Sequence, residues 1–211
     1  GDVPEETSAE IIDVTEDGMT WAYTDSPAGG IGAIDISDPA NPQPLGVMEI
    51  DGEPTAVSVV GTTAFVGINA AESYTAPSGM IKAIDVTTMT ELARCDLGGQ
   101  PDSTGKAPDG SFIAVAIENE RDEDLGDGRV PQMPAGDLVI INVVEGNLDC
   151  GSLIRANLTG LADVAGDDPE PEFVDINSLG ETVVTLQENN HIAIVARDGS
   201  IVSHFSAGTV D

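Results

Sequence analysis

The segment that decides the fold is residues 54–97. It contains PTAVSVVG (54–61), TTAFVGIN (62–69), MIKAIDVT (80–87) and ELARCDL (91–97). Each run is short, rich in β-branched residues and bounded by Gly, Pro, Asn or Asp, which is the pattern of a β-strand between turns. None is long enough, or spaced at 3.6 residues, for an amphipathic helix. The same rhythm recurs upstream as EIIDVTEDG (10–18), MTWAYTD (19–25), GIGAIDIS (30–37) and PLGVMEI (44–50). It recurs downstream as PDSTGKAPDG (101–110), SFIAVAIE (111–118) and DLVIINVV (137–144), followed by a diverged fourth strand. A last copy reads EFVDINSLG (172–180), ETVVTLQE (181–188), HIAIVARDG (191–199) and IVSHFSA (201–207).

The turn glycines Gly18, Gly61, Gly110 and Gly180 lie 43, 49 and 70 residues apart. The first two spacings match a four-stranded repeat of about 40–50 residues. The third is stretched by insertions around 119–136 and 148–170. Four antiparallel strands repeated radially predict an all-β chain, a β-propeller whose blades bury their faces against one another. The expected blades cover 8–51, 52–99, 100–169 and 170–211, so that residues 1–211 form one propeller segment. The expectation is four blades of a larger ring of about seven. Open faces would then be covered by the remainder of the polypeptide or by another subunit. A closed four-blade ring and a β-sandwich are the rivals. A single helical turn over 158–164 is all the helix predicted.

Composition narrows the function classes. The 211 residues carry 38 Asp and Glu against 7 Lys and Arg, a formal charge of −31. Such a polyanion is repelled by nucleic acid and by anionic lipid, so neither is an expected partner. No apolar run is long enough to span a membrane as a helix. A hydrophobic content of 40% supports a packed core despite the charge. An acidic, lysine-poor surface suits a salty medium, as for a marine or halophilic bacterium. Cys95 and Cys150 fit no zinc spacing; they are either two buried thiols or one disulfide. A disulfide agrees better with an extracellular or periplasmic location.

The carboxylates repeat with the strands. Eight residues before each turn glycine stand Glu10, Glu53, Asp102 and Glu172. Eight residues after stand Ser26, Asn69, Glu118 and Glu188, with Asp25 beside Ser26. In a propeller both positions fall on one end of the ring, near its axis. The alternative is a solvated polar rim, since strand starts border water. Oxygen ligands of this kind suit a hard cation, and calcium is the expected metal, held by Glu10, Glu53, Asn69, Asp102, Glu118, Glu172 and Glu188. The loop DEDLGDG (122–128) lacks the last acid of an EF-hand. Asp167, Asp168 and Glu170 read as a solvated acidic loop, and Arg121 as an ion pair within its own segment ENERDED.

Catalytic constellations are sparse. His191 and His204 are the two histidines, each in a strand, and no HExxH or GxSxG motif occurs. No nucleophile or catalytic residue is assigned. Metal-assisted hydrolysis and acid–base work by Glu118, Glu120, Glu172 and Glu188 remain as enzymatic options. Within the inner strand of the third repeat, Thr104-Gly105-Lys106 breaks the apolar pattern. Lys106 is expected either to face the channel, where it would pair with Glu118 in preference to binding an anion, or to mark an irregular register.

GGIGAIDISDPANPQPLGVMEIDG (29–52) resembles the repeat of bacterial surface propellers with an LVIVD-type core. PDSTGKAPDGSFIAVAIENE (101–120) resembles the PDG repeats of lactonase-like surface propellers. The strings IENERDEDLGDG, PQMPAGDLVIINV, EPEFVDIN and VTLQENNHIAIV are similar to secreted bacterial phytase-like esterases and alkaline-phosphatase-like proteins. This resemblance implies a secreted, calcium-binding propeller belonging to a phosphoric ester hydrolase that holds an anionic substrate through its metal. Propeller phytases also surround phosphate with basic residues, of which this chain has few. A noncatalytic extracellular scaffold or ligand-binding propeller is the competing expectation.

Overall fold

The computed structural model describes residues 7–122, 124–125 and 131–209. Seventeen strands form four antiparallel sheets, each a meander in chain order. The first sheet holds β1 (Ala9–Val14), β2 (Thr20–Asp25), β3 (Gly30–Asp35) and β4 (Gln43–Glu49). The second holds β5 (Glu53–Val60), β6 (Thr63–Asn69), β7 (Gly79–Asp85) and β8 (Thr90–Asp96). The third holds β9 (Pro101–Lys106), β10 (Phe112–Ile117) and β11 (Asp137–Val144). Its fourth strand is split into β12 (Asn147–Leu148) and β13 (Ile154–Ala156), both paired with β11. The fourth sheet holds β14 (Pro171–Ile176), β15 (Thr182–Leu186), β16 (His191–Val195) and β17 (Ile201–Ser206).

Three apolar cores fill the spaces between successive sheets. Ala22, Ile31 and Ala33 meet Val57, Val59 and Val66; Phe65, Ile81 and Leu97 meet Ile113, Val115 and Val139; Ala114, Leu138 and Ile140 meet Val174, Val184 and Val195. A strand with a neighbour on both faces needs apolar side chains at every position. Hence β10, FIAVAI, is buried throughout, whereas β15 alternates because one of its faces has no neighbour. This stack of blades is a propeller arrangement.

The inner strands β1, β5, β9 and β14 pack in that order and line one central cleft of about 540 Å³. Hydroxyls stitch them together. Thr55 donates to the Pro101 carbonyl at 2.9 Å and Ser58 to the Thr104 carbonyl at 3.0 Å. Asp13 accepts from the Val59 N–H at 2.7 Å and from the Lys106 ammonium, tying the first blade to the second and third. The third and fourth blades approach closely at Gly105, where a Cβ would lie 3.3 Å from the Val174 carbonyl oxygen, tighter than ordinary contact.

Several expectations need correction. Residues 158–164 form turns and bends without a helix, and a 3₁₀ turn occurs instead at Cys150–Ser152. β9 keeps its antiparallel pairing through Lys106, which bonds Asp13 instead of Glu118. The reason is position: Lys106 pairs with Ile113 and Pro101 with Ile117, so Lys106 and Glu118 lie at opposite ends of one hairpin. Asp168 and Glu170 are buried, at 1% and 4% exposure, and do not form a solvated loop. DEDLGDG (122–128) lies mostly outside the described residues. Cys95 and Cys150 form a disulfide with Cα atoms 5.5 Å apart, joining β8 to the insertion that splits the third blade's last strand. Among the described residues no helix is long and apolar enough to cross a membrane.

Candidate functional site

The hairpin of each repeat brings its −8 and +8 residues to the same end of the blade, but register shifts in the inner strands leave them directly paired in the second blade and offset in the others. In the second blade Glu53 pairs with Asn69. In the first, the Ser26 hydroxyl lies 2.8 Å from both Glu10 Oε2 and the Pro54 carbonyl of the next blade. In the third, Asp102 and Glu118 share a cleft of about 480 Å³ with Glu53, Asn69, Gln100 and Glu120. Glu172 and Glu188 occupy the corresponding positions of the fourth blade. The acids of the third and fourth blades are near enough to raise one another's pKa.

Two asparagines that the sequence reading passed over set this end of the ring. Asn119 Oδ1 accepts from the Gln100 N–H at 2.9 Å, and its amide donates to the Pro134 and Ala135 carbonyls. Asn189 does the same one blade on: Oδ1 accepts from the Glu170 N–H at 2.9 Å and the amide donates to the Val164, Ala165 and Asp168 carbonyls. Both are buried, at 5% and 1% exposure. Each follows a site glutamate, Glu118 or Glu188, and anchors the backbone two residues before a site acid, Asp102 or Glu172. The repeated Glu-Asn dipeptide was the available signal.

Arg121 is the cation nearest these acids in sequence, and it is engaged. Its Nε lies 2.6 Å from Glu170 Oε1 and its Nη1 3.5 Å from Asp168 Oδ2, at the start of the next blade, and among the described residues no acid of ENERDED pairs with it. Among the described residues no salt bridge reaches Asp102, Glu118, Glu172 or Glu188.

The electrostatic consequence is large. Burial, then Asp102, Glu120, Glu172 and Glu170, push the Glu118 carboxyl up to about 8. Burial, then Glu172 and Glu120, push Asp102 up to about 6. Burial outweighs Arg121 and lifts Glu170 to about 7. Glu172 is raised by burial and by Glu188 and Glu120. A raised carboxyl pKa contributes stability that is complete below the unfolded value and is lost as pH rises through the folded one. Glu118→Gln is therefore expected to stabilise the chain by about 1–3 kcal/mol at pH 9, after allowance for solvent screening. At pH 4.5 the change should stay within about 0.5 kcal/mol, because Glu118 is then protonated in the folded state. Urea melts at both pH values check this; equal effects at both would contradict it.

Among the described residues, no three His, Cys, Asp or Glu side chains close around a common point suited to a metal ion. The two histidines lie on the fourth blade and contact each other, His191 Nε2 to His204 Nδ1 at 2.9 Å. Burial, and then His204, lower the His191 pKa.

Comparison with solved structures agrees with this architecture. The chain is similar to virginiamycin B lyase from Staphylococcus aureus in its complex with quinupristin. Identity is 16%, covering 96% of this chain and 57% of that one, with a TM-score of 0.63. It is also similar to the β-propeller domain of Cps50 (Swd1) from Myceliophteria thermophila, at 10% identity over 95% and 57% of the two chains, TM-score 0.64. A protein of unknown function from Bacteroides caccae matches at 10% identity over 97% and 63%, TM-score 0.56. At such identities the likeness carries the fold alone. The chain spans between 55% and 65% of the length of these and related solved chains. No curated protein matches the sequence. The model of the choice-of-anchor I domain matches residues 12–204, and the chain belongs to that family.

Proposed function

We propose that the chain is a noncatalytic extracellular propeller module whose acidic end face binds cationic ligands. Membership in a choice-of-anchor family points to a secreted or cell-surface protein. The observation that carries the reading is the group of Asp102, Glu118 and Glu172. These acids are partly buried, raised in pKa and without a salt-bridge partner among the described residues. Crowded carboxylates of this kind are relieved by an arriving cation.

Calcium is the expected ion, with ligands drawn from Glu10, Glu53, Asn69, Asp102, Glu118, Glu172 and Glu188. The described geometry offers no closed cage, so one or two carboxylates plus water would hold it, as in weak extracellular sites with Kd of about 10⁻⁴–10⁻³ M. At 10 mM calcium such a site stabilises the fold by about 1–3 kcal/mol. Thermal melts with 10 mM calcium, with chelator and with sodium chloride of equal ionic strength test this. The calcium increment should vanish in Glu118→Gln/Glu172→Gln. An increment matched by sodium would leave the face as a screened rim.

A second reading is favoured by one specific group. The Glu118 carboxyl, pushed up to about 8 beside Asp102, has the raised pKa that a general acid needs. With the resemblance to phytase-like esterases, this supports a calcium-assisted phosphoric ester hydrolase. Chelator-sensitive phosphate release from a phosphomonoester, lost in Glu118→Gln, would establish it. No release above the uncatalysed rate would leave the binding module.

A further inference from the structure

Each blade turns one repeated set of positions toward the blade that follows it, and the cross-strand pairs identify the set. On strands two and three the pairs are Ala22/Ala33, Phe65/Ala83, Ala114/Ile140 and Val183/Ile194. The inner-strand residue paired with the first member is Asp13, Ser58, Gly105 and Asp175 in turn.

In the first three blades this set is covered by the next blade. Ala22, Ala33, Phe65, Ala83, Ala114 and Ile140 are all at most 1% exposed. The inner-strand residue touches the next inner strand's backbone each time. Asp13 accepts from the Val59 N–H, Ser58 donates to the Thr104 carbonyl, and Gly105 leaves room for the Val174 carbonyl. In the fourth blade no described residue packs over Asp175 and Val183, and Ile194 is half-buried. Val183 is 40% exposed, and Asp175 is exposed, with Oδ1 accepting from its neighbour Ile176 as Asp13 Oδ1 does from Val14. Phe173 and Phe205 are 65% and 49% exposed. The chemistry of an interface is present without its second half.

We infer that the Asp175–Val183–Ile194 face of the fourth sheet is the seat of a further four-stranded blade of the same polypeptide, whose inner strand donates a backbone N–H to Asp175 as Val59 does to Asp13. Three formed copies of the same interface argue for this occupant, each made in cis by the next repeat. The matched solved chains, about one and a half to nearly two times as long as the stretch aligned here, argue the same. A second copy of the chain is the weaker fit, since two bodies of charge −31 repel. This inference is independent of what the acidic end face binds.

The test compares the 211-residue chain with the natural polypeptide purified from its source. Val183→Cys in the shorter chain should react readily with a maleimide; in the natural polypeptide the same variant should react at least about tenfold more slowly. Hydroxyl-radical oxidation of Phe173 and Phe205 in the unmutated proteins gives the same readout without a substitution. Equal rates in both proteins, a natural polypeptide that supplies no further repeat, or protection that appears only on dimerisation of the short chain would each overturn the inference.

Discussion

Replacing Arg121 by Met is expected to destabilise the chain by about 3–5 kcal/mol at pH 8, because two buried carboxylates lose the guanidinium that faces both. Asp168 and Glu170 are 1% and 4% exposed, and Arg121 is the cation that meets both among the described residues. For a chain of this size the loss lowers Tm by roughly 6–20 °C. The penalty is pH-dependent with a defined sign. Burial already holds Glu170 at about 7 against the pull of Arg121, and removing the guanidinium raises it further. A raised carboxyl pKa favours folding at low pH and loses that contribution as pH rises, so the penalty should grow between pH 5.5 and 8.5. Adding Asp168→Asn and Glu170→Gln to Arg121→Met should recover most of the loss, since the charges that needed pairing are gone. Denaturant melts of the single and triple variants decide it. A single variant within about 1 kcal/mol of wild type at pH 8.5 would show that water reaches the cluster.

Opening the Cys95–Cys150 bridge is expected to cost about 4 kcal/mol, the loop-closure entropy of a 55-residue separation. The bridge fastens the outer strand of the second blade to the insertion in the third, and Cys95 lies in the core between them at 3% exposure. Cys150→Ala keeps that core intact and isolates the cross-link. Its melt should match that of the reduced wild-type chain and fall about 8–16 °C below the oxidised one. Retention of the oxidised Tm after full reduction would assign the stability of this junction to packing alone. Loss concentrated in the third blade's insertion by hydrogen exchange would show the bridge acting locally.

Legibility in the sequence followed the range of the interactions. Strand hairpins are local, so the run PTAVSVVG-TTAFVGIN already specifies β5 against β6, and its alternation places Glu53 opposite Asn69. The aliphatic pattern of FIAVAI marks a strand covered on both faces. The split of the third blade's last strand into β12 and β13 was not legible, because a short insertion carrying Cys150 interrupts it. Arg121 was misassigned to its own acidic segment. Neighbouring charges look paired in one dimension, yet successive residues of an extended chain point apart, and the guanidinium reaches acids some fifty residues away. Asp168 and Glu170 look like a solvated loop for the same reason.

Repetition of strand and turn, read along the chain, determined that this protein is a set of antiparallel blades with acids recurring at matched offsets. That information is local, because a β-meander is specified by alternation and turn residues over some forty positions. Only the tertiary structure decided which charges meet. Asp13 joins Lys106, Arg121 joins Asp168 and Glu170, and Glu172 crowds Asp102 and Glu118, each across a blade boundary. Those contacts depend on the twist and spacing of sheets packed face to face, which no single repeat encodes.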